Sequence, residues 1–298
     1  MPYRIEYTPP SEVELPLNLW ANPKFMLAVQ KLHQLEALHL RCYKGEQLVA
    51  LLPVYEKRLL SYRMLKSPGG SYYQGLNLWL YEKSLSGRKL LDTLQIIQCI
   101  AISLRERYKK VQINLCPGTD DVRGFTWEKL TAKPLYTFVH DFSAPPVPLP
   151  DERRKLALAA KQNFHFAEEL DTSGFMELFS AMNSRKNRDI SFTYVQFEQF
   201  IHSLHVQGLL RQYNLYQEDA IVSSNILLMD ADKFYTVFRA TASEALKNGA
   251  SSLHTMQLIE SLAGNINSLD FCGANVPEVA RFKAALGLKL QVFYQISL

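Results

Sequence analysis

The sequence predicts an α/β protein made of two halves, each a mixed, largely antiparallel sheet flanked by helices. Three observations carry this reading. Short apolar runs alternate with longer amphipathic segments, a proline-rich break lies near the middle, and the order of elements before the break recurs after it. A chain of 298 residues is about twice the usual domain length, which fits two domains that can each bury a core.

The first half opens with a helix started by Asn22-Pro23, where an Asn cap precedes a proline whose fixed φ suits the first helical position. A hairpin follows, Leu38–Tyr43 and Gln47–Tyr55, turning at Lys44-Gly45. Beyond Ser86, apolar residues at 90, 94, 97, 101, 104 and 108 recur at three- and four-residue spacing, which predicts an amphipathic helix. A short strand is expected at Val111–Cys116, then a Pro117-Gly118 break, a short helix near Asp121–Leu130 and a strand near Leu135–Phe142.

Ser143–Pro150 holds four prolines in eight residues, a composition that forbids a helix and favours an extended connector. The expected domains are therefore residues 1–142 and 151–298, joined by a linker at 143–150. Beyond it, Tyr216–Val222 repeats the hairpin seen at Tyr43–Val49. Phe271-Cys272 before Gly273 likewise matches Leu115-Cys116 before Pro117-Gly118. The first half is longer by a segment that includes the loop Pro68–Tyr73.

With 47% hydrophobic and 21% charged residues, disorder is excluded. No apolar stretch reaches the ~20 residues of a membrane span. The amino terminus lacks a basic-then-apolar leader, so the cytoplasm is the expected location. Cys42, Cys99, Cys116 and Cys272 form no C-x-x-C pair, and each is expected to be a buried thiol. His202 and His205 lie near Glu198 on a predicted helix, but no fourth ligand accompanies them and no metal site is assigned. A net charge of +4 does not by itself indicate nucleic-acid binding, and it leaves room for a local anion site.

The ordered features of the second half carry a family resemblance. They are Arg153-Arg154-Lys155 with Lys161, Asn183-Ser184-Arg185 followed by Phe197, Leu269-Asp270-Phe271-Cys272-Gly273, and Phe282-Lys283 followed by Gly287. Through them the chain resembles the GNAT acyltransferase superfamily, and within it the tandem-GNAT, FemAB-like proteins. The resemblance implies two GNAT-like domains and an N-acyltransferase that moves an aminoacyl or acyl group onto an amine acceptor. The site is expected in the cleft between the halves or at the C-terminal domain. The alternative is a catalytically lapsed double-GNAT module that binds a ligand or partner.

Among donors, aminoacyl-tRNA or another acyl carrier ranks above acyl-CoA. A CoA cradle needs glycines that let backbone N–H groups reach a pyrophosphate at a helix start, whereas Thr241–Ser252 contains one glycine, Gly249. The resemblance places Lys283 near the transferred group, where a cation would stabilise an oxyanion or hold a phosphate. Asp270, at a strand end, could orient or deprotonate the amine or cap the next turn. Arg239 could bind a carboxylate or phosphate bidentately or pair with Glu244. Phe282 neighbours Lys283 as a substrate-binding candidate. Arg185 and Arg188, in the run Arg185–Arg188, could meet a phosphate, although such runs are commonly only solvated. Tyr73, in the glycine-rich loop Gly69–Gly75 that reads as flexible, could line an acceptor groove or only connect strands.

Overall fold

The computed structural model describes residues 3–59, 62–80 and 85–298. In chain order these form β1 (Tyr3–Thr8), a 3₁₀ turn (Leu19–Ala21), α1 (Pro23–His33), β2 (Glu36–Lys44), β3 (Gln47–Leu59), β4 (Tyr62–Leu65), β5 (Asn77–Leu78) and α2 (Ser86–Arg107). Then come β6 (Gln112–Asn114), α3 (Arg123–Trp127), β7 (Thr131–His140), α4 (Pro150–Ala159), β8 (Phe164–Glu168), α5 (Thr172–Arg185) and α6 (Tyr194–Val206). The chain ends with β9 (Leu210–Gln217), β10 (Ala220–Met229), β11 (Lys233–Thr241), α7 (Ser243–Lys247), α8 (Ala250–Leu262), β12 (Ser268–Asp270), α9 (Pro277–Ala285) and β13 (Lys289–Ser297). Two compact units result, residues 1–135 with 292–298, and residues 136–291. This division by contacts falls elsewhere than the 143–150 stretch, because the chain changes unit within β7 and returns within β13.

In the first unit β1, β2, β3 and β4 form an antiparallel meander, with β5 also on β3. The Asn22 side chain caps α1 by accepting from the N–H groups of Lys24 and Phe25, and Pro23 takes the first helical position. Helix α2 lays Ile96, Ile97, Ile100, Ala101 and Leu104 on Leu38, Leu40, Leu52 and Val54 of the sheet. Its spacing was readable because one stripe of a 3.6-residue period faces an apolar sheet. Beyond α2 the chain returns parallel to β4 at a Met64–Lys110 bridge.

The second unit repeats this order. β8, β9, β10 and β11 form an antiparallel meander, and after α8 the chain returns as β12, parallel to β11. One face packs on α8 through Leu258, Ile259 and Leu262. On the other, Phe238 of β11 meets Phe175, Phe179, Phe197 and Phe200 of α5 and α6, with Phe192 from the connection. Thr193 and Gln196 form a capping box that starts α6.

Two buried histidines give the fold a pH signature. His39 Nε2 lies 2.9 Å from the Ala21 carbonyl, and burial lowers its pKa to about 4. Burial holds His254 well below the ordinary value. Below pH 6.5 the unfolded chain takes up protons that the folded chain refuses, so stability falls as pH drops from 6.5 towards 4. The slope is at most about 1.4 kcal/mol per pH unit for each ring. Urea titrations at pH 7 and pH 5 should show this loss, and His39→Gln should remove the His39 share of it and leave that of His254.

Candidate functional site

β11 and β12 pair only over Lys233–Tyr235 and Ser268–Asp270. β11 then runs on to Thr241 with no strand beside it on that edge among the described residues. A crevice opens at the carboxyl ends of two parallel strands, which is where open α/β sheets receive ligands. A bulge adds to the effect. Ile226 faces Phe238 and Leu227 faces Thr236, so Val237 is the extra residue and the side chains of β11 are re-aimed around it.

The resulting cavity measures about 330 Å³ and is lined by β11 (Thr236–Thr241), the β12–α9 turn, the α9 face bearing Phe282 and Lys283, and the end of α5. Five cations line it, Arg185, Lys186, Arg188, Arg239 and Lys283, and among the described residues no carboxylate does. Such a wall selects an anion.

Arg239 is the centre of this wall. Its Nη2 donates to the Ser251 carbonyl at 2.6 Å and to Ser251 Oγ at 2.9 Å, and its guanidinium lies 5.1 Å from the centre of the Phe282 ring. The alternative pairing with Glu244 is not formed, and no ion pair to Arg239 exists among the described residues. Desolvation lowers its pKa to about 10. Opposite it in register stands Asn225, 1% exposed, whose carboxamide has no protein partner at either end. Thr236 Oγ1, in the cavity wall, is also buried without a partner. Buried polar groups without partners are rare in native folds. Here they collect around an unpaired cation.

Lys283 is placed differently from an oxyanion donor. Its Nζ donates to the carbonyls of Phe271 and Cys272, each at 2.7 Å, and to that of Gly273. An ammonium has three donors, and all three are used to hold the β12–α9 turn, where Cys272 and Gly273 have φ of 42° and 76°. Burial lowers the Lys283 pKa to about 8. Asp270 is fully buried. Its Oδ1 accepts from Thr137 Oγ1 at 2.6 Å and from the Cys272 N–H at 2.9 Å, and Lys233 Nζ lies 3.8 Å from Oδ2. It caps the turn, as the bland reading of its position anticipated, and is not part of the cavity wall. Cys42 is buried, whereas Cys99, Cys116 and Cys272 are only partly so.

Arg185, Lys186 and Arg188 form an exposed rim, with Arg185 Nη1 donating to Ser243 Oγ. Burial, then the two arginines, lowers the Lys186 pKa. A second cavity, about 680 Å³, shares Met182, Arg185 and Thr241 with the first and carries four carboxylates, Asp171, Glu177, Asp219 and Glu244. A cation-lined and an acid-lined cavity thus meet at Thr241.

Tyr73 stands apart from this group. It lies in the first unit, 0% exposed, with its ring edge-to-face against Trp20, Tyr72 and Phe293. The loop expected to be flexible is tied down: Asn114 of β6 accepts from the Gln74 N–H at 2.6 Å and donates its own N–H to Gln74 Oε1 at 2.8 Å. The space beside β6, which corresponds to the crevice of the second unit, is filled by the chain's own loop.

At the start of α8 stands a buried carboxylate. Glu152, 3% exposed, accepts from Ser252 Oγ at 2.6 Å and pairs with Lys155 at 2.5 Å. Gly249 has φ 77°, and a Cβ there would run into the Lys155 carbonyl. This glycine serves the contact with α4.

Residues 149–284 match the model of the acetyltransferase (GNAT) domain. Over these residues the chain is similar to GNAT domains. The fold is similar to that of FemX, with a TM-score of 0.63 at 13% identity over 92% of this chain and 90% of that one. L-PGS of Bacillus licheniformis is similar at a TM-score of 0.58 and 9% identity, over 91% of this chain and 86% of that one. The C-terminal domain of a proposed lysylphosphatidylglycerol synthetase of Agrobacterium fabrum gives 0.60 and 11%, over 92% and 87%. No curated protein matches the sequence significantly. Among the described residues, no helix of this FemX-like fold is long and apolar enough to cross a membrane, and no group of three or more His, Cys, Asp or Glu is arranged to hold a metal.

Proposed function

We propose that this protein is an N-acyltransferase that moves an aminoacyl or acyl group from an anionic carrier onto an amine, with the reaction in the cavity beside β11 of the GNAT domain. The observation that carries this reading is the unpaired Arg239 guanidinium at the floor of a cavity walled by cations. Arg239 and the Arg185–Arg188 rim hold the carrier's phosphates, and Phe282 and Phe271 give the acyl group an apolar wall. The amine enters past the carboxylates of the adjoining cavity, which favour an ammonium, sheds its charge there and attacks the acyl carbon beside Thr241. Holding both reactants in one crevice supplies much of the acceleration.

Aminoacyl-tRNA ranks first among donors. Acetyl-CoA is expected to bind at millimolar strength or weaker, since Thr241–Ser252, with its one glycine, does not offer the pyrophosphate a glycine-rich cradle of convergent N–H groups worth ~1.5–3 kcal/mol each. Calorimetry giving micromolar affinity would reverse this ranking. The reading itself is tested by incubating the protein with total aminoacyl-tRNA and a pool of amino-acid amides, then searching for new amide bonds by mass spectrometry. Absence of product sinks it.

The engagement of both Lys283 and Asp270 in main-chain contacts favours a second reading, a GNAT-fold module that binds the carrier without turnover. Retention of RNA with no amide product in the same assay would establish it.

A further inference from the structure

We propose that Thr241, Ser223 and His254 form a proton relay from the cavity into the core, and that an anion bound at Arg239 readies it. The proposal rests on the acyl-transfer reading above. Thr241 lines both cavities. Its Oγ1 lies 2.8 Å from Ser223 Oγ, which lies 2.9 Å from His254 Nδ1. Ser223 and His254 are 0% exposed, so the serine cannot be a nucleophile and the imidazole cannot meet substrate.

An incoming ammonium gives up one proton to the carboxylates of the acid-lined cavity before it can attack, and for the second, shed as the nitrogen bonds to the acyl carbon, the cation-lined wall contains no carboxylate or imidazole. In the step proposed, the amine nitrogen bonds to the acyl carbon and the carbon–oxygen bond of the carrier ester breaks. The nitrogen's proton passes to Thr241 Oγ1, the Thr241 proton to Ser223 Oγ and the Ser223 proton to His254 Nδ1. Reversal of the chain protonates the departing oxygen. Thr241 is the catalytic residue, and Ser223 and His254 act through it.

Arg239 controls the relay by charge. Around His254 stand Ser223 of β10, the Tyr213 main chain of β9 and the Phe166 ring of β8 at 5.7 Å, and the Arg239 guanidinium of β11 is bonded to Ser251, one helical turn before it on α8. Glu152 of α4 is engaged by Ser252 and Lys155. Nε2 lacks a well-aligned partner, although the Tyr213 main chain lies near enough to favour the protonated ring. Burial, then repulsion from Arg239, keeps His254 neutral. An anion on Arg239 cancels that repulsion, so the ring becomes a better base only when the donor is in place.

The test uses the full chain with labelled histidine, followed by NMR across pH with inorganic pyrophosphate as the probe. Pyrophosphate should raise the His254 midpoint by about one pH unit, and Arg239→Met should raise it without the probe. In the tRNA assay, Thr241→Val and Ser223→Ala should each lower turnover by about 10²-fold. The double variant should be no worse than either single one, and Thr241→Ser should retain most activity. Multiplicative losses, unchanged turnover or a His254 midpoint indifferent to pyrophosphate would each overturn the relay. A wild-type protein that makes no amide, yet whose His254 still responds to pyrophosphate, overturns the acyl-transfer reading and supports the Arg239–His254 coupling.

Discussion

Replacing Arg239 with Met is expected to remove anion binding and leave the protein at least as stable. The two effects have one cause. A largely buried guanidinium with no carboxylate partner costs desolvation energy that two hydrogen bonds to Ser251 only partly return. Methionine keeps the apolar stem against Phe282 and removes the charge, so stability should rise by about 1 kcal/mol or stay level. The affinity for inorganic pyrophosphate should fall about 10²- to 10³-fold, the size of one lost bidentate contact. Arg239→Lys, which keeps the charge without the fork, should fall between the two. Calorimetry with pyrophosphate and thermal unfolding of the three proteins decide the matter. A destabilised Arg239→Met that still binds pyrophosphate would make Arg239 a strut between β11 and α8.

Local pattern carried much of the fold into the sequence. Asn22-Pro23, the hairpin turn at Lys44-Gly45 and the apolar stripe of α2 are decided by neighbours in the chain, so all three were legible. The recurrence of hairpin, helix and strand around Cys116 and Cys272 made the two-sheet plan visible. The division into units was less so, because the last strand belongs to both and no local signal announces that.

The site divides along the same line. Arg185, Arg188, Arg239, Phe282 and Lys283 do share one cavity, since each sits at the end of an element that converges on the crevice. What composition cannot reveal is how each charge is used. Lys283 is a buried cation and Arg239 a partly buried one, yet the first has every donor filled by carbonyls and the second lacks an anion. Thr236, Asn225, Thr241, Ser223 and His254 were missed altogether. They are ordinary strand and helix residues in sequence, and only the bulge at Val237 and the register of β10 with β11 gather them.

The two halves also differ in a way that bears on function. In each, the chain that leaves the helix after the meander meets the meander in parallel, at the Met64–Lys110 bridge in the first and as β12 in the second. In the first, the edge beyond that meeting is occupied by Gln74 and its loop, with Tyr73 buried in an aromatic cluster. A loop that fills its own crevice leaves no room for a ligand there, whereas the crevice beside β11 in the second unit is open.

Lys283→Met is expected to act on folding before it acts on chemistry. Removing the ammonium leaves the carbonyls of Phe271, Cys272 and Gly273 without their donor. At 1–3 kcal/mol for a buried orphaned group, and with two of the three partly exposed, the loss should total about 2–4 kcal/mol. Relief of the desolvated charge offsets part of it, since a Lys283 pKa lowered to about 8 marks an ammonium that burial disfavours. The β12–α9 turn, with Cys272 in the left-handed region at φ 42°, should loosen first, and hydrogen exchange at residues 271–273 should rise well before global unfolding. Pyrophosphate affinity should drop far less than in Arg239→Met. If instead Lys283→Met leaves stability and exchange unchanged while turnover falls 10²- to 10³-fold, Lys283 breaks from the carbonyls when substrate arrives and serves the transition state directly.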